Sequence, residues 1–272
     1  MNTSIAFIGG GNMARSLIGG LIAQGRPPAS IRVAEPVPPL REALQRDFGV
    51  AVFEHAEEAV TGADTWVFAV KPQVMRPVCE GLASAAQSGK PLVISIAAGI
   101  TATQLERWLG GRLPVVRTMP NTPALLGAGV TGLFATAAVD AAGKQLTETL
   151  LSAAGKTVWI ADEAQMDAVT AVSGSGPAYV FLLAEAMIHA GVQEGLSEPA
   201  ARTLALQTVL GAARMLTESN VDAAELRRRV TSPNGTTQAA IETFEAGGFR
   251  SLVDEAIHAA RVRGVELSAA ND

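Results

Sequence analysis

The chain is poor in residues on which several classes of protein depend. It has one cysteine, Cys79, among 272 residues, which excludes an internal disulfide framework and favours a reducing compartment. Cys79 has no cysteine or histidine neighbour at metal-ligand spacing, so we expect a small buried side chain there and no metal site. Aromatic residues make up 4% of the chain, and the net charge is −5. Because no basic, aromatic-rich stripe is present, nucleic acid is not an expected partner.

Targeting and membrane signals are also missing from the sequence. Residues 1–4 lack a charged segment and lead at once into an apolar strand pattern, unlike a secretory signal peptide. Residues 118–139 carry no charge, but the prolines and glycines within them predict loop and strand rather than a membrane span. We therefore expect a cytoplasmic protein with no membrane partner.

The pattern of apolar residues divides the chain in two. Up to residue 162, short runs such as residues 65–70 and 92–96 are apolar on both faces, which is typical of buried parallel strands. Their alternation with helical patterns predicts an α/β domain with a doubly wound sheet over residues 1–162. Residues 163–272 show helical patterns only and predict an all-α domain. Several of these helices are rich in alanine and leucine on more than one side, so we expect a second subunit to cover them.

A glycine-rich turn follows the first predicted strand and begins the first predicted helix. Gly9 suits the tight turn, Gly11 leaves room for a pyrophosphate, and Ala14 is small enough for the helix to pack on the strand. The free N–H groups at the start of the helix attract phosphate. This arrangement predicts a Rossmann-type site for NAD or NADP, whose first contacts are Ile8, Gly9, Gly10, Gly11, Asn12 and Met13.

Three further segments follow predicted strands, where a dinucleotide lies on parallel sheets. Glu35 ends the second strand; there it accepts hydrogen bonds from the ribose hydroxyls of NAD and repels a 2′-phosphate, or else it turns to solvent. The other two segments follow later strands, and their residues are Ala69, Val70, Lys71 and Pro72, and Ile96, Ala97 and Ala98. Glu35 favours NADH, but the residues leave NADH and NADPH both open.

The most unusual stretch of the helical part is residues 230–240. A Ser-Pro-Asn-Gly turn leads into a helix with Thr236 or Thr237 as the expected N-cap, so exposed N–H groups flanked by hydroxyls form a nest suited to a carboxylate. The same residues also make an ordinary capped helix start, and the pattern alone leaves both interpretations open. Two other hydroxyl-rich turns lie at residues 119–124 and 172–179.

Taken together, these segments resemble a known family. Residues 8–14, 69–72, 95–99, 119–123, 173–179 and 232–237 are similar, in order and spacing, to motifs of Δ1-pyrroline-5-carboxylate reductase. The resemblance covers nearly the whole chain. It implies a Rossmann domain, a helical dimerisation domain, dimers able to assemble into rings, and NADPH- or NADH-dependent reduction of 1-pyrroline-5-carboxylate to L-proline.

The resemblance also implies residue roles. The loop at Ser232, Gly235, Thr236 and Thr237 would hold the substrate carboxylate through backbone N–H groups, Thr237 would reach the ring nitrogen, and Ser175 would contact the substrate. Two positions depart from the family: Asn234, where many relatives have glycine, and Glu35, where many have a small hydroxyl residue. Asparagine tolerates a left-handed backbone, so we expect the turn to persist.

Three alternatives remain beside this hypothesis. A β-hydroxyacid dehydrogenase needs a catalytic lysine in its second domain, but the last lysine here is Lys156. A reductase acting on another cyclic imine is harder to separate. A non-catalytic, regulatory dinucleotide-binding protein would have no use for the 232–237 loop.

Overall fold

A computed structural model describes residues 3–271, which form two compact units. The first, here called the sheet unit, runs to Ser175 and includes the residues from Ala260 onward. The second, the helical unit, is Gly176–Ala259.

The sheet unit is built on one eight-stranded sheet. Within the described residues its strands are β1 Ile5–Ile8, β2 Ile31–Ala34, β3 Ala51–Phe53, β4 Thr65–Phe68, β5 Leu92–Ser95, β6 Val115–Met119, β7 Gly129–Ala135 and β8 Gly155–Trp159. The order across the sheet is β3-β2-β1-β4-β5-β6-β7-β8. Chain order therefore runs outward in both directions from β1 and β4, which makes their junction the topological switch point of a doubly wound sheet.

Helices cover both faces of this sheet. They are α1 Asn12–Ala23, α2 Pro38–Phe48, α3 Ala56–Val60, α4 Pro72–Gly89, α5 Ala102–Trp108, α6 Ala141–Leu151 and the short α7 Met166–Val169. Successive residues of β1 point to opposite faces, so Ile5 and Phe7 enter one core, with α1, α2 and α6, while Ala6 and Ile8 enter the other, with α4 and α5. The predicted fold class is confirmed.

The parallel arrangement ends at β7, which pairs antiparallel with β6. The connection, residues 120–128, is shorter than the dozen or so residues that a parallel crossover requires. A purely parallel sheet, as the strand–helix alternation suggested, is therefore wrong for this edge. The uncharged residues 118–139 form loop and strand here, as expected.

A π-helical segment, Thr170–Gly174, leads from α7 into the helical unit. The remaining helices are α8 Gly176–Gln193, α9 Glu198–Glu218, α10 Ala223–Arg229, α11 Thr236–Ala246 and α12 Phe249–Ala270, whose last part belongs to the sheet unit. α8 packs on α9, and they approach closely where Gly191 meets Ala201: a Cβ on Gly191 would lie 3.2 Å from that of Ala201.

The helical unit buries very little of itself. Across residues 176–259, all of them described, the buried side chains are Ala184, Ala201 and Ala205. Large apolar side chains are exposed instead, among them Phe181 at 66% and Leu182 at 68%. The helical stretch 163–193 is long and apolar enough to cross a membrane by composition, a property that helices covered by a partner subunit share.

The sheet unit continues past residue 162, where the sequence pattern changes. Residues 163–175 pack on the sheet because Glu163 pairs with the β6 residue Arg117 at 3.2 Å, and a Cβ on Gly132 would lie 2.5 Å from Val169. The sequence pattern changes from alternating strands and helices to helices alone at residue 162. The first segment of the sheet unit ends later, after the short helix α7 and the π-helical segment.

Candidate active site

The register of the sheet brings the predicted cofactor segments to one edge. Ile8 pairs with Ala34 and with Phe68, and Phe68 pairs with Ser95. The residues that follow this row are Gly9–Gly11, Glu35, Ala69–Pro72 and Ile96–Ala98. They lie side by side at the carboxyl ends of β1, β2, β4 and β5, around the switch point.

Gly9 and Gly11 of the first turn are small for different local reasons. Gly9 has φ of 101°, and a Cβ there would lie 2.7 Å from the carbonyl oxygen of Ala69; both the conformation and the contact exclude a side chain. A Cβ on Gly11 would have no neighbour within 4 Å. Gly11 therefore borders open space, as a residue approached by a phosphate must.

α1 begins directly after this turn. Its N-cap, Gly11, offers no side-chain acceptor to the first-turn N–H groups, which keeps them available to an anion. Asn12 is exposed, and Met13 packs partly against the core. Ala14, with 1% exposure, lies against the sheet as a small third position should.

Glu35 is buried and does not turn to solvent, so that alternative is wrong. Its carboxylate accepts hydrogen bonds from the N–H of Gly10 at 2.9 Å and from the N–H of Val37 at 3.0 Å. Glu35 thereby ties the end of β2 to the glycine turn. The guanidinium of Arg41 is held beside it, donating to the backbone oxygen of Glu35 and pairing with Glu54.

The segments after β4 and β5 differ in exposure. Lys71 is exposed and is the N-cap of α4, and Pro72 is its first residue. After β5, Ala97 is buried and its N–H donates to the Ser95 hydroxyl, whereas Ala98 is exposed. Both segments present backbone and small side chains at the switch-point edge.

The structure joins two turns that the sequence singled out only as hydroxyl-rich. The Asn121 side chain donates to the carbonyl oxygen of Ser173 at 3.0 Å and accepts from the N–H of Val130 at 2.9 Å. A Cβ on Gly174 would lie 2.6 Å from the methyl group of Met119. Sequence reasoning missed Asn121; an amide between two prolines in a turn after a strand is the signal that pointed to it.

Arg117 is a second residue that sequence reasoning missed. It is almost fully buried on β6 and faces two carboxylates, Glu163 at 3.2 Å and Asp167 at 3.8 Å. Glu163 also accepts from the N–H of Ala102 at the start of α5. A single charge within an apolar strand was the available signal.

Ser175 is half-buried and is the last residue before the helical unit begins in the sequence. Its N–H donates to the backbone oxygen of Thr170 within the π-helical segment. The hydroxyl of Ser173 donates to the backbone carbonyl oxygen of Val169.

The loop before α11 has the form of an anion nest. Asn234 has φ of 57°, the left-handed conformation expected of it. The N–H of Gly235 donates to Ser232, and the N–H of Asn234 donates to the side chain of Gln238. The N-cap is Gly235, not Thr236 or Thr237 as expected, because the turn closes one residue earlier.

This shift places both threonines in the first turn of α11. Thr236 is exposed and Thr237 half-buried. Their N–H groups belong to the helix start and lack intrahelical acceptors there. The start of α11 therefore offers the N–H groups of its first turn together with the Thr237 hydroxyl, whereas the N–H groups of Asn234 and Gly235 are already bonded within the chain.

Cys79 is buried in the core beneath α4, as expected. Burial raises the pKa of its thiol to about 12, so the side chain is chemically inert. Among residues 3–271, no group of three histidine, cysteine, aspartate or glutamate side chains is arranged to hold a metal ion.

Comparison with known proteins agrees with these features. A family model for pyrroline-5-carboxylate reductase dimerisation matches residues 163–267, and one for NADP oxidoreductase, coenzyme F420-dependent, matches residues 4–99. The chain is 56% identical to the pyrroline-5-carboxylate reductase of Pseudomonas aeruginosa, over 97% of this chain and 96% of the relative.

Solved structures give the same result. A pyrroline-5-carboxylate reductase from Coxiella burnetii matches with a TM-score of 0.95 and 43% identity, covering 98% of this chain and 99% of that one. A pyrroline carboxylate reductase from Plasmodium falciparum, solved with NADP bound, matches with a TM-score of 0.85 and 29% identity over 98% of both chains. The resemblance found in the sequence is confirmed: the chain belongs to the pyrroline-5-carboxylate reductase family, an NAD(P)H-dependent group of oxidoreductases.

Proposed function

We propose that this chain reduces 1-pyrroline-5-carboxylate to L-proline with NADPH or NADH, as the last step of proline biosynthesis, and that it does so in the cytoplasm. The proposal rests on two features that occur together in this chain. One is the open glycine turn at the switch point, and the other is the nest-forming loop at the start of α11. The family relationship supplies the substrate.

The glycine turn and its neighbours fit a dinucleotide. Gly11 leaves open space beside the first-turn N–H groups of α1, which suit the pyrophosphate. The segments after β4 and β5 would flank the remainder of the cofactor, whose nicotinamide would supply the hydride for reduction of the imine. The proposed contacts are Ile8, Gly9, Gly10, Gly11, Asn12, Met13, Glu35, Ala69, Val70, Lys71, Pro72, Ile96, Ala97 and Ala98.

The loop before α11 would bind the substrate. Its N–H groups and the positive end of the helix dipole suit the carboxylate of a cyclic imino acid. In this proposal Thr237 orients the ring nitrogen through its hydroxyl, and Ser175 adds a second hydroxyl. The contributing residues are Ser232, Gly235, Thr236, Thr237 and Ser175.

Positioning is then the main contribution of the chain to the rate. A protonated imine is already a good electrophile, so the reaction needs no strong general acid, which agrees with a chain of only three histidines. Holding two reactants in the productive geometry contributes up to ~7–11 kcal/mol in well-oriented systems.

Glu35 supports a preference for NADH within this proposal. Its carboxylate is fixed at the end of β2 by the N–H groups of Gly10 and Val37, and a fixed negative charge there repels a 2′-phosphate. The nearby Arg41 is engaged by Glu54 and by the backbone of Glu35.

The helical unit supports a homodimer. Its exposed apolar side chains need cover that the described chain does not supply, and the dimerisation model spans residues 163–267. We propose that two chains associate through this unit and that dimers assemble further into a ring.

The decisive experiment follows NAD(P)H oxidation on adding 1-pyrroline-5-carboxylate, with other cyclic imines assayed in parallel. We expect oxidation with 1-pyrroline-5-carboxylate at a higher kcat/KM than with any other imine. Faster turnover of another imine would favour that substrate instead. Cofactor binding without oxidation of either cofactor would leave only a regulatory dinucleotide-binding role.

A further inference from the structure

The loop between β5 and α5, residues 96–101, is tied to the end of α12. The Asn271 side-chain amide donates to the carbonyl oxygen of Gly99 at 3.1 Å. The Gln104 side-chain amide donates to the carbonyl oxygen of Ser268 at 3.2 Å. Two hydrogen bonds therefore join the loop and its following helix to residues more than 160 positions later in the chain.

Gln104 connects this contact to the loop itself. Its side chain accepts from the N–H of Thr101 at 2.8 Å while the Thr101 hydroxyl accepts from the N–H of Gln104, which closes a capping box at the start of α5. With 4% exposure, Gln104 is almost fully buried. One amide thus fixes the last residue of the loop and bonds to α12 at once.

The contact at Gly99 is equally specific. Gly99 has φ of 70°, and a Cβ there would lie 3.6 Å from the Asn271 amide nitrogen and 3.8 Å from Leu267. The loop bends over the end of α12 at this glycine. The orientation of the peptide between Gly99 and Ile100 is therefore determined partly by Asn271.

The same loop carries Ile96, Ala97 and Ala98 at the switch-point edge. On the β5 side, the N–H of Ile96 donates to Phe68 and the N–H of Ala97 donates to the Ser95 hydroxyl. The segment is thus anchored to the sheet at its start and to α12 at its end. We infer that the end of α12 positions this loop for the cofactor, with Asn271 and Gln104 as positioning residues.

This inference rests on the proposed function, in which residues 96–98 contact the cofactor. It adds a role for residues that touch neither cofactor nor substrate. α12 begins at Phe249 in the helical unit, and its last part, which contacts this loop, belongs to the sheet unit.

Asn271→Ala and Asn271→Asp test the inference. Each removes the donor to Gly99, and the aspartate adds an oxygen facing an oxygen. We expect the KM and the Kd for the cofactor to rise about three- to tenfold, the range for one lost hydrogen bond, with a larger rise for the aspartate. The KM for the imine and the kcat at saturating cofactor should stay within about twofold of wild type.

The matched control is Glu266→Gln. Glu266 lies near the end of α12, five residues before Asn271, is exposed, and pairs with Arg263, so its replacement should leave the Kd for the cofactor unchanged. A cofactor Kd within twofold of wild type in both Asn271 variants overturns the inference. So does a joint loss of kcat, imine affinity and thermal stability, which a merely structural role would cause.

Binding measured without the imine separates this inference from the proposed function. Trp108, on α5, is a buried donor for energy transfer to NADH or NADPH. If the wild-type protein binds cofactor but reduces no imine, the proposed function fails while the Asn271 comparison still stands on the Kd. If turnover is normal and the Asn271 variants bind cofactor as wild type does, the inference alone fails.

Discussion

The two units of this chain are stabilised in different ways. The sheet unit closes a separate apolar core on each face of its sheet, whereas the helical unit buries only alanines and exposes phenylalanine and leucine. Burial of apolar surface is the main stabilising term in folding. The sheet unit therefore holds its own structure, and the helical unit needs apolar cover from outside the described chain.

The proposed cofactor contacts and the proposed substrate loop lie in different units. The predicted cofactor contacts lie on strand ends and on one helix start of the self-contained unit, while the loop before α11 lies in the unit that needs a partner. We expect cofactor binding to withstand dissociation of the protein better than catalysis does.

Gly9→Ala should disrupt the sheet unit. A side chain at φ of 101° is strained, and its Cβ would lie 2.7 Å from a backbone oxygen. We expect a loss of roughly 2–5 kcal/mol in the free energy of unfolding, a large part of the total stability of a typical domain. Urea unfolding followed by circular dichroism measures it.

Gly11→Ala is the matched control for that prediction. A Cβ there would meet nothing within 4 Å, so stability should stay within about 0.5 kcal/mol of wild type, while cofactor affinity falls because the phosphate approach is blocked. Equal stability loss in the two variants would contradict the distinction between a structural and a binding glycine.

Phe181→Glu should separate the subunits. Phe181 is 66% exposed on α8, and a charge within the proposed apolar interface would weaken association by about 2 kcal/mol or more, roughly 30-fold. Light scattering after size-exclusion chromatography measures the mass. Leu40→Glu, at an exposed apolar position on α2 of the sheet unit, should leave the mass unchanged; dissociation by both variants would place the interface elsewhere.

Thr237→Ala should lower kcat by about 10- to 100-fold, because a misplaced imine loses the productive geometry. The Kd for the cofactor should stay unchanged. Thr243→Ala, which removes an exposed hydroxyl bonded to Ala239 on the same helix, controls for helix destabilisation. If Thr237→Ala turns over at the wild-type rate, the role assigned to its hydroxyl is wrong.

Much of the fold follows from local patterns in the sequence. The apolar runs at residues 65–70 and 92–96 contain the strands β4 and β5, since short apolar runs between turn residues leave few alternatives. The three-residue strand β3 lies in the short apolar run at residues 50–53 but was not predicted. The antiparallel β7 depends on the length of a connection and not on a pattern, so the sequence suggested a uniform sheet.

The candidate site likewise has local features that the sequence predicts and long-range contacts that it does not. The glycine turn could be predicted because its geometry is local. The bonds from Asn121 to Ser173, from Arg117 to Glu163 and from Asn271 to Gly99 each join distant segments of the chain. No periodicity or turn signal in one segment specifies its partner, so these contacts emerge only from the folded structure.

Glu35→Ser should shift the cofactor preference toward NADPH by about tenfold in the ratio of kcat/KM values, because it removes the charge that repels a 2′-phosphate. It also removes the acceptor for the N–H of Gly10, so affinity for NADH should fall. Glu35→Gln keeps an acceptor but no charge and separates the two effects. An unchanged ratio in both variants would show that Glu35 only supports the glycine turn.

The smallest expected effect concerns Cys79, whose labelling rate should not change when the subunits dissociate. Its pKa of about 12 leaves very little thiolate at neutral pH, so alkylation should be about a thousandfold slower than for a thiol with the ordinary pKa of 9.0. The rate of iodoacetamide labelling should be the same in wild type and in Phe181→Glu, because the core around Cys79 belongs to the sheet unit alone. Faster labelling in the dissociated variant would mean that this core depends on the assembled helical unit, and the two units would then not be independent in stability.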